Sequence, residues 1–156
     1  MNISVIGATP EYETVAKWPV DVGRFLNQSD EDSRARVALV GRSTVENLTG
    51  DRQMNIVGQE ILVNRVSFQV IGIPKEKGAG AFGNDADDIV IIPCSTAMRR
   101  VLSRKYLSEI DVTCRTEGDM DFATEQIVNL MRERHKLRPP FPDNDDFNVR
   151  SQAQVL

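Results

Sequence analysis

The stretch from Gly78 to Asp88, GAGAFGNDADD, sets glycines at 78, 80 and 83 in the G-x-G-x-x-G spacing that can cradle phosphates. A dinucleotide site needs a strand before such a loop and a helix opening directly after it, because the helix N-terminus meets the pyrophosphate. Here the loop runs through Asn84, Asp85, Ala86, Asp87 and Asp88 into an apolar run, so no helix terminus is supplied. Three carboxylates would also face the ligand's own charge. The ATPase phosphate loop fails as well, since Asn84 and Asp85 stand where Lys and Ser/Thr are required. A kinase-type glycine hairpin does lie between strands, but its catalytic-loop and metal signatures are missing from the chain. The stretch therefore reads as a connection between strands. We expect no bound nucleotide, no cofactor and no catalytic residue.

Other reactive side chains are equally isolated. An EF-hand starting at Asp85 would put Ile89 and Val90 where an oxygen ligand and a glycine belong. Cys94, Cys114 and the single histidine lack zinc spacing, so no metal site is expected, and both thiols are expected to be free and inert. His135 sits among Arg132, Arg134 and Lys136, where the end of a helix favours cations, with no acid or nucleophile beside it in sequence. Arg99, Arg100, Arg104 and Lys105 read as a solvated basic face. Asn27 and Asn47 open glycosylation triplets, the second inside an expected helix.

The 156 residues are 40 % hydrophobic and 27 % charged, the balance of a soluble globular fold. No run is apolar for long enough to cross a bilayer, and the N-terminus lacks the pattern of a signal peptide. A net charge of −4 argues against nucleic acid as a partner. Such a chain is either cytoplasmic or a soluble piece of something larger.

The elements that would carry these residues are mixed. ISVIG, RVALVG and DIVIIP read as strands, and EILVNRVSFQVIGI as a hairpin turning near Asn64 and Arg65. In that hairpin Ile61 and Val63 share one face, as do Val66, Phe68 and Val70. STVENLTG reads as a helix with a Ser43–Glu46 capping box and a Gly50 stop. GRFLNQSDEDSRA reads as polar and turn-rich. Ser95 is expected to cap a short helix with Ala97, Met98, Val101 and Leu102 inward. SEIDVTCR alternates as a strand with Ile110, Val112 and Cys114 inward. A long helix follows, its inner face Met120, Ala123, Ile127, Leu130, Arg134 and Leu137, and FNVRS reads as a last strand.

Several stretches together, TPEYETVAKWPVDVGRFL, ARVALVGRSTVENL, VGQEILVNRVSFQVIGI and GAFGNDADDIVIIPCSTAMRR, resemble the periplasmic domain of MacB-like ABC-transporter permeases of the macrolide-exporter type. YLSEIDVTCR and the helix ending LMRERH extend the likeness to nearly the whole chain. The resemblance implies an α+β fold in which a porter-like α/β lobe, residues 1–35 and 88–156, is split by a smaller β-rich lobe, residues 36–87. It implies a non-catalytic domain of an inner-membrane, homodimeric permease whose ATPase lies elsewhere. Its partners would be a periplasmic adaptor and an outer-membrane channel. The family's strand–helix–strand unit before ISVIG, its membrane helices and its ATPase are absent from these residues, so an excised piece with an incomplete porter-like lobe is expected. On this reading Gly80, Phe82 and Gly83 are a candidate partner contact, with Phe82 presented among glycines to the adaptor or the second protomer. The alternative is an extracytoplasmic domain that senses a peptide or small molecule.

Overall fold

The computed structural model describes residues 3–79 and 84–151. They fall into two compact units, Met1–Asp111 and Val112–Leu156.

The first unit is built on one six-stranded sheet with the order β1-β6-β3-β5-β2 and β4 also on β5. Its strands are β1 (Ser4–Ala8), β2 (Val20–Gly23), β3 (Val37–Val40), β4 (Glu60–Val63), β5 (Val66–Pro74) and β6 (Ile89–Pro93). β1 runs parallel to β6 and β3 parallel to β5, while β3–β6, β2–β5 and β4–β5 are antiparallel. This mixed architecture agrees with the expected α+β class. The sheet continues through both segments that the sequence assigned to separate lobes, because β3 hydrogen-bonds to β6 across that division. A shared ladder thus joins strands from both sides of 35/36 and 87/88 in one sheet.

β3 and β6 read as unbroken apolar runs because both of their faces are covered. Leu39 and Ile91 join Trp18, Phe25 and Leu26 on one face. Ala38, Val90 and Ile92 join Phe68 and Ala97 on the other, and Val40 packs with Val45 and Val70. The expected hairpin forms with Val63 opposite Val66. Its turn residues Asn64 and Arg65 both have positive φ, 49° and 66°, the geometry that matches the twist of a two-residue hairpin.

The helices depart from expectation in instructive ways. α1 (Tyr12–Val15) is short, as Pro19 requires. α2 (Gln28–Asp32) was hidden in the segment read as turns; Asn27 and Asp30 form its capping box. α3 (Arg42–Thr49) ends at Gly50 in the left-handed region, φ 81°, as expected, but its N-cap is Gly41 and the Ser43 hydroxyl is used elsewhere. α4 (Cys94–Thr96) continues as a π turn, Ala97–Val101. Ser95 does not cap it: the Ser95 N–H donates to the Glu31 carboxylate at 2.8 Å, and Leu102 is exposed. The strand β2 was also missed.

SEIDVTCR is not a strand. Ile110 and Val112 are 67 % and 58 % exposed, and no described strand lies beside them to take their backbone hydrogen bonds. Alternation alone does not make a strand without a neighbour. In the second unit FNVRS likewise stays irregular. There α5 (Met120–Arg134) forms as expected, with Met120, Ala123, Ile127 and Met131 half-buried, whereas Leu130 and Arg134 are exposed. Cys94 and Cys114 are free and half-buried.

Candidate functional site

The glycine stretch leaves the sheet at the end of β5 and returns at β6. Gly80, Phe82 and Gly83, put forward from sequence as a partner contact, lie outside the described residues. The two legs beneath them are described. An antiparallel bridge joins Ala79 to Asp85, and the Asp88 N–H closes the turn on the Asp85 carbonyl at 3.3 Å.

Asp87 holds the root together. Its side chain is 1 % exposed, and its two oxygens accept the backbone N–H groups of Lys77 at 2.8 Å and Gly78 at 2.9 Å. Its own N–H donates to Asp85 Oδ1 at 2.9 Å. A buried carboxylate that takes two amide donors and faces a cation escapes most of the penalty of burial. The cation is Arg52, whose Nη2 stands 3.6 Å from Asp87 Oδ2. Arg52 also donates to Glu46 at 3.0 Å, Glu76 at 2.9 Å and the Ser43 hydroxyl at 2.9 Å. The hydrogen bond from Ser43, seconded by the Asp87 N–H, holds the Asp85 carboxyl below its usual range. One guanidinium therefore ties α3, the end of β5 and the approach to β6 into a single node.

The outgoing leg has a second anchor. Trp18, 3 % exposed, donates its indole N–H to the Lys75 carbonyl at 2.6 Å, and the Lys77 ammonium lies 4.1 Å from the Trp18 ring centroid. On the returning leg, Thr44 donates to Asp88 at 2.9 Å. A Cβ on Gly41 would overlap the Asp87 backbone, so only glycine allows α3 to start this close.

The carboxylates of Asp87 and Asp88 are thus both engaged by other parts of the fold, Asp87 buried and Asp88 half-buried. Sequence reasoning missed Arg52 and Asp87 as partners. The one available signal was an Asp doublet directly before a wholly apolar strand, where at least one acid is drawn toward the core.

The remaining candidates are scattered. His135 is exposed, with Nδ1 2.7 Å from Asp146 and its ring edge-on to Phe147; the acid absent from its sequence neighbourhood arrives through the proline-rich turn. Arg132 pairs with both oxygens of Asp145 and lies over Phe141. Asn27 caps α2, and Asn47 reaches toward Asp88 from α3 at 3.5 Å. Among the described residues no group of three or more His, Cys, Asp or Glu is arranged to hold a metal ion. A groove of about 600 Å³ opens on the sheet face, with Ile3, Val5, Leu48, Ile56, Ile61 and Val63 in its walls.

The described residues thus form a mixed sheet whose buried carboxylate braces the root of a loop. A family profile described as the MacB-like periplasmic core domain matches residues 1–130, and the chain belongs to that family. Its domain is the periplasmic part of an inner-membrane ABC-transporter permease. The chain is 33 % identical over 154 residues to the macrolide export ATP-binding/permease protein MacB of Bdellovibrio bacteriovorus, covering 99 % of this chain and 23 % of that protein. It is 38 % identical over 153 residues to the MacB of Chlorobaculum tepidum, again covering 23 % of the relative. The chain thus spans under a quarter of the curated relatives' length. Among solved structures, the periplasmic region of MacB from Actinobacillus actinomycetemcomitans superposes with a TM-score of 0.65 at 18 % identity, over 85 % of this chain and 56 % of that one. The extracellular domain of the noncanonic ABC-type transporter YknZ from Gram-positive bacteria gives 0.73 at 19 % identity, over 88 % and 67 %.

Proposed function

We propose that this domain is a non-catalytic transmitter, coupling ATP hydrolysis in the cytoplasm to export through contacts with a periplasmic adaptor and an outer-membrane channel, within a homodimeric permease. The family match over residues 1–130 carries the reading, because its curated relatives are named as export ATP-binding/permease proteins. The braced loop root supports it. A contact loop transmits force only if its legs are stiff, and Asp87, Arg52 and Trp18 fix both legs to the sheet. Gly80, Phe82 and Gly83 are the contact we assign to that loop.

Phe82→Ser in the full-length transporter tests this. Adaptor capture should weaken roughly thirtyfold, the effect of losing an interface aromatic, with the domain's melting temperature and basal ATP hydrolysis unchanged. Undiminished capture would remove the loop from the interface. A second reading, a ligand-sensing domain, is favoured by the open apolar groove. It requires a small molecule or peptide that raises the melting temperature of the wild-type chain and fails to do so after Val5→Glu in the groove wall.

A further inference from the structure

Between Arg99 and Leu107 the sequence RRVLSRKYL crowds four cations and several large apolar side chains together. The π turn sets Ala97 in the core, at 1 % exposure, and leaves Arg99 and Arg100 in solvent. The chain then folds back on the turn it has just left. The Leu102 N–H donates to the Ala97 carbonyl at 2.8 Å, Ser103 takes φ 48°, and the Arg104 N–H donates to the Met98 carbonyl at 3.0 Å. That return brings Arg104 and Lys105 beside the turn that carries Arg99 and Arg100. All four cations are exposed, as are Leu102, Tyr106 and Leu107, at 42 %, 69 % and 54 %.

Nothing in the fold absorbs this charge. Among the described residues Arg99, Arg100 and Lys105 have no ion pair and no side-chain hydrogen bond, and Arg104 meets only the Ser108 hydroxyl at 3.3 Å. The next acids along the chain, Glu109 and Asp111, are engaged with each other. Their hydrogen bond raises the Glu109 pKa, and both charges act on Tyr12, whose phenol is raised chiefly by burial. Carbonyls at the end of a helical turn favour a cation. They do not account for four cations, nor for exposed apolar side chains among them.

We propose that this face contacts an anionic lipid surface. Guanidinium and ammonium groups pair with headgroup phosphates, while tyrosine and leucine side chains enter the headgroup zone, and the two effects reinforce each other. The domain belongs to an inner-membrane permease, so the protein that carries it is seated in a bilayer. The chain as a whole carries −4, so attraction to a negative surface must come from a local basic face such as this one, and it also sets orientation.

Sedimentation of the 156-residue chain with vesicles tests the proposal. Vesicles of phosphatidylglycerol with phosphatidylethanolamine should bind it, vesicles of phosphatidylcholine alone should not, and added salt should weaken binding. Each of Arg99→Gln, Arg100→Gln, Arg104→Gln and Lys105→Gln should lower partition about fivefold. Melting temperature should hold, because all four side chains are in solvent. In a Tyr106→Trp variant, brominated lipid should quench the introduced indole and spare the buried Trp18. Equal binding to both vesicle types, no binding, or undiminished binding by the fourfold Gln variant overturns the proposal. Capture of soluble poly-glutamate as tightly as of vesicles, without quenching, overturns it in favour of an acidic protein partner.

Discussion

Asp87 grips Gly78 across the root of the glycine loop. Its carboxylate accepts the Gly78 N–H at 2.9 Å while 1 % exposed, and φ of 77° at Gly78 turns that N–H inward. A residue with a side chain adopts that φ only under strain.

Removing the grip should be expensive. Asp87→Ala leaves the Lys77 and Gly78 amides without their acceptor and Arg52 with one carboxylate fewer, a loss of about 3 kcal/mol. In a chain of this size that is a fall in melting temperature of roughly 10 °C. Asp87→Asn keeps one acceptor oxygen and should lose about half as much. Thermal melts of the three proteins decide; a fall of less than about 1 °C in Asp87→Ala would show that the amides find other acceptors.

Acid should loosen the first unit from a definite set of carboxylates. The Asp30 pKa is held below the ordinary aspartate value of 3.8 chiefly by the Arg24 hydrogen bond, and that of Asp85 chiefly by Ser43. Because folding lowers these values, their contribution is complete above 3.8 and is lost as pH falls through the lowered folded values. Glu109, raised from 4.5 by Asp111, opposes this: its stabilising contribution is present below 4.5 and is lost as pH rises through its folded value. Asp30→Asn should cost about 1 kcal/mol at pH 6, Arg24 being half exposed. The variant and the parent should converge once pH falls below both carboxylate values. Melting curves that stay parallel across the acid range would assign the effect to packing instead.

The hairpin turn leaves room for improvement. Arg65 holds φ 66° in the second position of a two-residue turn, where Asn-Gly is the favoured pair. Arg65→Gly should therefore raise stability by about 0.5 kcal/mol, relief of that strain exceeding the added freedom of the unfolded chain. Denaturant midpoints measure it, and a lower midpoint would mean that the arginine side chain packs usefully.

The sequence by itself determined whatever rests on neighbours along the chain. The unbroken apolar runs of β3 and β6, the hairpin with Asn64 at its turn, the Gly50 stop and the period of α5 are local patterns of two or 3.6 residues, readable without a fold. The capping box of Asn27 and Asp30 was equally local, and the acid-rich composition around it masked it. Only tertiary structure decided the rest. Asp87 and Asp88 look alike in sequence, yet one is buried because Arg52 and two backbone amides converge on it from separate elements. Ile110 and Val112 alternate as a strand should, yet stay exposed, because backbone pairing needs a neighbour that no pattern within the segment supplies.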